Sequence, residues 1–273
     1  MRRAPRSWTS VKPSSTSERM SISERVVVVT GGTQGLGRGI ALSFLEAGAR
    51  VVVCARKPPA QPLDAVFEPL NVRQPEEVDR VIAAVLARFG RIDVWVNNAG
   101  GAPPKAAAEA SPRFTASIID LNLTAALVCS QKANAVMQTQ PKGGAIIQVT
   151  SVSALRPSPG TSAYGAAKAG LVSATQSLAV EWAPKVRVNA VSPGMVQTEL
   201  SELHYGSLAG IAAAAATVPL KRLATPKDVG EACVFLASSA ASYISGTNLI
   251  LHGGGEAPAF LAAVAAASDN GAR

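Results

Sequence analysis

Cysteines, histidines and aromatic residues are all scarce in this chain. Cys54, Cys129 and Cys233 are far apart and form neither a CxxC pair nor a metal-ligand spacing. That argues against a disulfide framework and points to reduced thiols in a cytoplasmic setting. Two histidines, His204 and His252, are too few for a typical zinc site, so no metal is expected. Aromatic residues make up 4%, which leaves little to stack on nucleobases. No apolar run approaches the ~20 residues needed to span a bilayer. Neither a nucleic-acid nor a membrane partner is expected.

The formal charge of +8 points the other way, but its location resolves the conflict. Arg2, Arg3, Arg6, Lys12 and Arg19 against Glu18 put a net +4 in the first nineteen residues alone. The remainder forms no dense basic stripe. That leading segment, rich in Ser, Arg and Pro, reads either as a transit peptide or as a disordered arm ahead of a start at Met20. No amphipathic helix is legible there, which favours the arm. Residues 1–19 are therefore read as an arm, 20–256 as one folded domain and 257–273 as a tail.

From Arg25 onward, short apolar runs alternate with helical patterns. Strands are predicted at 25–30, 50–56, 65–71, 92–100, 143–151, 186–194 and 246–254. Helices are predicted at 35–49, 75–90, from Ser111-Pro112 to about 138, 162–183 and 225–238, several opened by Ser, Thr or Pro. Fully apolar strands alternating with amphipathic helices predict an α/β domain with a parallel sheet covered on both faces. Met195 to Pro226 breaks the rhythm with "AGIAAAAATV". It reads as either a lid or an ordinary surface helix.

Two constellations carry chemistry. "VVVVTGGTQGLGRGIA" runs from strand through glycines to helix. Gly31, Gly35 and Gly37 would allow a tight turn and close approach of a phosphate to free helix N–H groups. The second strand ends "CARKPP", with Arg56 and Lys57 where an acid would bind a ribose 2′-hydroxyl. Bases there favour a 2′-phosphate, hence NADP(H) over NAD(H). Tyr164 and Lys168 in "YGAAK" share a helix face, and an ammonium beside a phenol lowers its pKa toward a value useful for proton transfer. Ser151 closes the fifth predicted strand thirteen residues earlier. "NNAG" (97–100) and "SPGMVQT" (192–198) end the fourth and sixth. Asn122, inside an apolar helix, needs partners and could hold a water next to Lys168.

Taken in order, "TGGTQGLG", "NNAG", the Asn of "LNL", Ser151, "YGAAK" and "PG…T" resemble the classical short-chain dehydrogenases/reductases over about residues 25 to 254, near the 3-oxoacyl-acyl-carrier-protein reductases. The resemblance implies a seven-stranded Rossmann sheet and reversible hydride transfer between a nicotinamide cofactor and a carbonyl or secondary alcohol. It implies that Tyr164 is the general acid/base, and that Lys168 tunes it and holds the ribose. Ser151 would orient the carbonyl and Asn122 would position a relay water. It implies cofactor contacts from Gly31, Thr33, Gln34, Gly35, Leu36, Gly37, Arg56, Asn71, Val72, Asn98, Ala99, Gly100, Tyr164, Lys168, Pro193, Gly194, Val196 and Thr198. It also implies a homotetramer, with the helices at 112–138 and 162–183 as the pairing surfaces.

Departures from the pattern stand beside this. Asn71 replaces a usual Asp, and the Arg56–Ala65 connection leaves little room for a second helix. His252 precedes the last glycines where Asp is commoner, and would serve a subunit contact rather than catalysis. The tail at 257–267 is either a small docking helix or a loose end. A 3-oxoacyl-thioester-type ketoreductase leads. A hydroxysteroid or other bulky secondary-alcohol dehydrogenase is the alternative, and Met195, Leu203, Tyr205, Leu208 and Ile211 would make an apolar pocket for either. A non-catalytic dinucleotide sensor is disfavoured, because such sensors commonly lose the Tyr or Lys present here.

Overall fold

The structure, a computed structural model, describes residues 22–261 except Leu200, together with Val264 and Ala267. The arm expected at 1–19 lies outside the described residues.

Seven strands form one parallel sheet: β1 (Val26–Thr30), β2 (Arg50–Ala55), β3 (Val66–Pro69), β4 (Val94–Asn97), β5 (Gly144–Val149), β6 (Val186–Pro193) and β7 (Asn248–Leu251). Their order is β3-β2-β1-β4-β5-β6-β7. β1 thus has β2 on one side and β4 on the other, pairing Val28 with Val52 and with Trp95. This neighbourhood is where the winding reverses, and in open α/β sheets the crevice beyond such a point takes ligands.

The strands are apolar on both faces because both are covered. Val26, Val28, Val52, Trp95, Ile146 and Val188 belong to one core cluster, and Val27, Val29, Val53, Val96, Ile147 and Val191 to the other. Successive side chains on a strand alternate faces, so an unbroken Val run feeds both. On the first face lie α2 (Pro75–Phe89) and α4 (Ala125–Thr139), with Val78, Val81, Val85, Cys129 and Met137 buried. On the second lie α1 (Gly35–Glu46) and α8 (Pro226–Ala237), through Ile40, Phe44, Val229 and Leu236. α8 starts as its sequence suggests, with Thr225 and Asp228 closing a reciprocal capping box.

The helix predicted from Ser111-Pro112 is continuous but not uniform. α3 (Pro112–Ile119), capped by Ser111, passes through a π-helical turn, Asp120–Thr124, into α4. By length and composition alone this 28-residue stretch could cross a bilayer. Its buried side chains, Ile118, Asn122, Ala125, Cys129, Ala133 and Met137, instead pack within the protein. α5 (Ser162–Glu181) follows β5.

No helix forms between β2 and β3. That connection is held instead by Arg38, which donates to the carbonyls of Gln61 and Pro62 at 3.4 and 3.0 Å. The 195–226 segment folds into α6 (Ser201–Tyr205) and α7 (Leu208–Thr217). Tail residues 259–261 are helical, with Phe260 and Leu261 exposed.

Phe44 is fully buried between α1 and the sheet. Phe44→Ala should cost about 3–5 kcal/mol in urea-induced unfolding; a loss below about 1 kcal/mol would mean that α1 is not packed as described.

Candidate functional site

The carboxyl ends of β1, β4, β5 and β6 converge on one crevice, and buried hydroxyls and amides set the distances between them. Thr30 Oγ1 donates to Val96 O at 3.2 Å and accepts from the N–H groups of Asn98 and Ala99, each at 3.0 Å. Asn98 Nδ2 returns to Thr30 O and Gly31 O at 2.9 and 3.2 Å. Below them, Asn97 Nδ2 donates to Ser130 Oγ and Gln148 Oε1 at 2.8 and 3.0 Å, while Trp95 Nε1 donates to Asn97 Oδ1. On the other side Thr150 Oγ1 lies 2.6 Å from Ser192 Oγ, which donates to Asn248 Oδ1 at 2.8 Å. Thr30 and Ser192 were not among the predicted site residues. Each opens a quoted motif, but its role depends on a strand distant in sequence.

The glycine turn is tight for a visible reason. Gly31 has φ +65°, and a Cβ there would sit 2.9 Å from Asn98 Nδ2. A Cβ on Gly37 would sit 2.1 Å from Gly31 O. Thr33 and Gln34 form the rim, and Gln34 heads α1 without a side-chain cap. The first N–H groups of α1, at Gly35, Leu36 and Gly37, therefore have no intrahelical partner. Gly35 N–H donates to the carboxylate of Glu199, 2.6 Å away. That carboxylate stands in for an anionic oxygen, the chemistry a pyrophosphate would bring to a helix N-terminus. The donor set and the missing Cβ atoms thus fit a dinucleotide.

Beyond the end of β2, Arg56 and Lys57 are exposed and form no ion pair among the described residues. Asn71 and the buried Val72 follow β3 at the same sheet edge. Asn71 Oδ1 accepts from Arg73 N–H at 3.3 Å, so the amide also braces its own turn.

The proton-transfer candidates come together. Ser151 leaves β5 in an extended conformation, its Oγ accepting from Ser153 N–H at 3.1 Å, and its side chain is near enough to Tyr164 on α5 to favour the phenolate. Lys168, one turn on, is 3% exposed and donates to Val149 O at 2.8 Å. Burial pushes its pKa down to about 8. Burial also raises the Tyr164 pKa, with the Ser151 side chain opposing. The lowering expected from Lys168 is therefore not found: the ammonium lies 5.6 Å from the phenol ring centroid and is turned to a carbonyl.

Asn122 sits in the π turn. Its Nδ2 donates to Gly101 O and Ile118 O, both at 2.9 Å, and its Oδ1 accepts from Gly101 N–H at 2.8 Å. The partners its burial demanded are thus largely backbone. A Cβ on Gly100 would lie 2.6 Å from Asn122 Oδ1 and 3.4 Å from Lys168 Nζ, so these groups crowd one point.

Pro193 and Gly194 end β6, with Gly194 N–H on Leu251 O at 2.8 Å. Val196 bridges Ala224, and Thr198 N–H is held by Ser201 Oγ at 2.8 Å. A cavity of about 830 Å³ opens beside them, its walls including Val152, Leu155, Met195, Val218, His252 and Glu256. Arg156 pairs with Glu256 across it at 2.7 Å. A second, of about 290 Å³, has Tyr164, Phe114 and Ile118 in its wall. The larger cavity follows Ser151 along the chain, whereas the smaller contains the phenol itself, so the smaller is the better marker of the reacting position.

The pocket predicted from the 195–226 segment needs correction. Of Met195, Tyr205, Leu208 and Ile211, the described members of that expected pocket, only Met195 lines the large cavity. Leu208 is exposed, while Ile211 and Tyr205 pack with Val218 and Leu223 in a small cluster of their own. The Leu203 side chain lies outside the described residues.

A glycine cradle at a helix N-terminus on a doubly wound parallel sheet defines a dinucleotide-binding fold. The chain belongs to the short-chain dehydrogenase/reductase family and is an oxidoreductase acting on alcohols or ketones. The family description that matches, over residues 31–256, reads enoyl-(acyl carrier protein) reductase. A 3-oxoacyl-[acyl-carrier-protein] reductase of Synechocystis is 34% identical over 248 residues, covering 86% of this chain and 98% of the relative. A 3alpha-hydroxysteroid dehydrogenase of Mediterraneibacter gnavus is 33% identical, with the same coverage. The solved aldohexose dehydrogenase of Thermoplasma acidophilum superposes with a TM-score of 0.81 at 32% identity, covering 85% of this chain and 94% of that one. The family uses nicotinamide cofactors.

Lys168 gives a pH test of the site. Between about pH 8 and its ordinary 10.5, the unfolded chain holds a proton that the folded chain does not. Stability from this group therefore rises with pH across that window. The unfolding free energy of the wild type relative to Lys168→Met should climb from pH 8 to 10.5; a flat difference would show that Lys168 is not desolvated.

Proposed function

We propose that the chain is an NADPH-preferring ketoreductase for a 3-oxoacyl-thioester-type substrate. The observation that carries this is the meeting of Ser151 and Tyr164 one turn from buried Lys168, whose Nζ donates to Val149 O. In the reducing direction, Ser151 Oγ–H binds the carbonyl oxygen and Tyr164 O–H delivers the proton as alkoxide forms. The raised Tyr164 pKa keeps the phenol in its acid form, which suits this direction. Lys168, once protonated, offsets charge left on the phenolate. Asn122 and Gly101 hold the backbone around the ammonium. The bound nicotinamide supplies the hydride.

Gly31, Gly35, Gly37 and Leu36 would take the pyrophosphate, and Asn98, Ala99 and Gly100 would line the cofactor's path. Pro193, Gly194, Val196 and Thr198 would lie along the nicotinamide. The exposed cations Arg56 and Lys57 support a 2′-phosphate, hence NADPH. NADH remains a weaker partner. The 830 Å³ cavity supports a second reading, a bulky secondary alcohol as in the hydroxysteroid relative. We further propose a homotetramer paired through the helices at 112–138 and 162–183, where Val180 is exposed. A cytoplasmic setting has three free, buried cysteines behind it.

The test is cofactor oxidation with NADPH and NADH against a short 3-oxoacyl thioester, a ketosteroid and cyclic ketones. Tyr164→Phe should lower turnover by about 10²–10⁴-fold while cofactor binding persists; retained turnover would remove Tyr164 from the chemistry. Arg56→Ala should weaken NADPH by about tenfold and NADH little. Equal losses would place Arg56 away from the phosphate.

A further inference from the structure

Among the described residues, Glu199 is the one acidic side chain hydrogen-bonded to the start of α1, and its position is built rather than incidental. On its N-terminal side, Gln197 N–H is fixed to Ala224 O at 2.8 Å, and Ala224 N–H to Met195 O at 3.0 Å. Thr198 and Ser201, on either side of it, hold each other: Thr198 N–H donates to Ser201 Oγ at 2.8 Å and Ser201 N–H to Thr198 O at 3.1 Å. Ser201 is itself buried. Between these anchors, the Glu199 carboxylate stands 2.6 Å from Gly35 N.

The choice of partner is informative. The chain has an excess of cations, yet Glu199 makes no ion pair among the described residues. Arg38, one turn into α1, is engaged with Gln61 O and Pro62 O instead. The carboxylate is bound by a helix N-terminus whose first turn holds no acid of its own and whose cap residue offers no side-chain bond. Such an end attracts negative charge. It is also where the glycine turn brings the backbone within reach of a phosphate.

We infer that Glu199 is an internal competitor for the pyrophosphate position and sets the affinity for the dinucleotide. This rests on the cofactor assignment above. The carboxylate and a pyrophosphate cannot share Gly35 N–H, and two like charges close together repel. Cofactor binding therefore has to displace Glu199, and with it the strand of chain that leads into α6 and α7. The affinity of the free protein is lowered by the contact that must be broken, and the 195–226 segment is tied to the glycine turn until the cofactor arrives.

The test is direct NADPH binding, followed by nucleotide fluorescence and calorimetry, on the wild type, Glu199→Gln and Glu199→Ala. Adenosine, which has no phosphate, serves as the control probe. Glu199→Gln keeps the shape and removes the charge, and Glu199→Ala removes both. Both variants should bind NADPH about threefold to tenfold tighter than the wild type, with adenosine affinity unchanged. Wild-type binding with no tightening in either variant overturns the competition while leaving the cofactor assignment standing. Equal tightening for adenosine overturns it too, because the effect would not lie at the phosphate. Failure of every variant to bind NADPH or NADH overturns both.

Discussion

The gap between the ends of β1 and β4 is the constraint on which the rest of the site depends. Two parallel strands lie side by side there, and their connections leave toward opposite faces. The opening is held by one hydroxyl, Thr30 Oγ1, shared among Val96 O and the N–H groups of Asn98 and Ala99. Because that contact draws the two strand ends together, Gly31 and Gly37 have no room for a Cβ. The backbone is left bare, and a bare backbone at a helix N-terminus binds anions. The glycines follow from the strand spacing, and the anion chemistry follows from the glycines.

Burial then assigns the ionisable groups. Lys168 is enclosed, keeps one backbone partner and titrates near 8, well below an ordinary lysine. Tyr164 is pushed the other way by the same desolvation. Desolvation disfavours the charged form of each group, so the protein surroundings favour a neutral phenol beside an easily neutralised amine. Charge introduced by ligands must change that balance. Asn122 is part of the same economy of polar groups. The π turn frees Ile118 O for its amide and leaves its oxygen for Gly101.

The 195–226 segment has a different kind of stability. It contributes little to the two sheet-facing clusters and packs around Ile211, Val218 and Leu223. A small cluster on a neck formed by Val196 and Ala224 can move as a unit more readily than an element of the main core. The same neck brings Glu199 to the glycine turn, so that turn and the 195–226 segment are mechanically connected.

Much of this was legible in the chain itself. Unbroken β-branched runs alternating with amphipathic helices determined a parallel sheet covered on both faces, because period-two and period-3.6 patterns record which sides meet apolar neighbours. The glycine turn, the Tyr164–Lys168 spacing and the missing helix after Arg56 were equally local features. Ser151 and Tyr164 could be paired from sequence because a strand end and the next helix are joined by one short connection. What only the tertiary structure decided were the meetings of distant segments: Thr30 with Asn98, Ser192 with Asn248, Glu199 with Gly35, and the turn of Lys168 toward Val149 rather than toward the phenol. It also decided the direction of the Tyr164 pKa, since desolvation depends on everything that surrounds a group, and periodicity reports only which face of an element is covered.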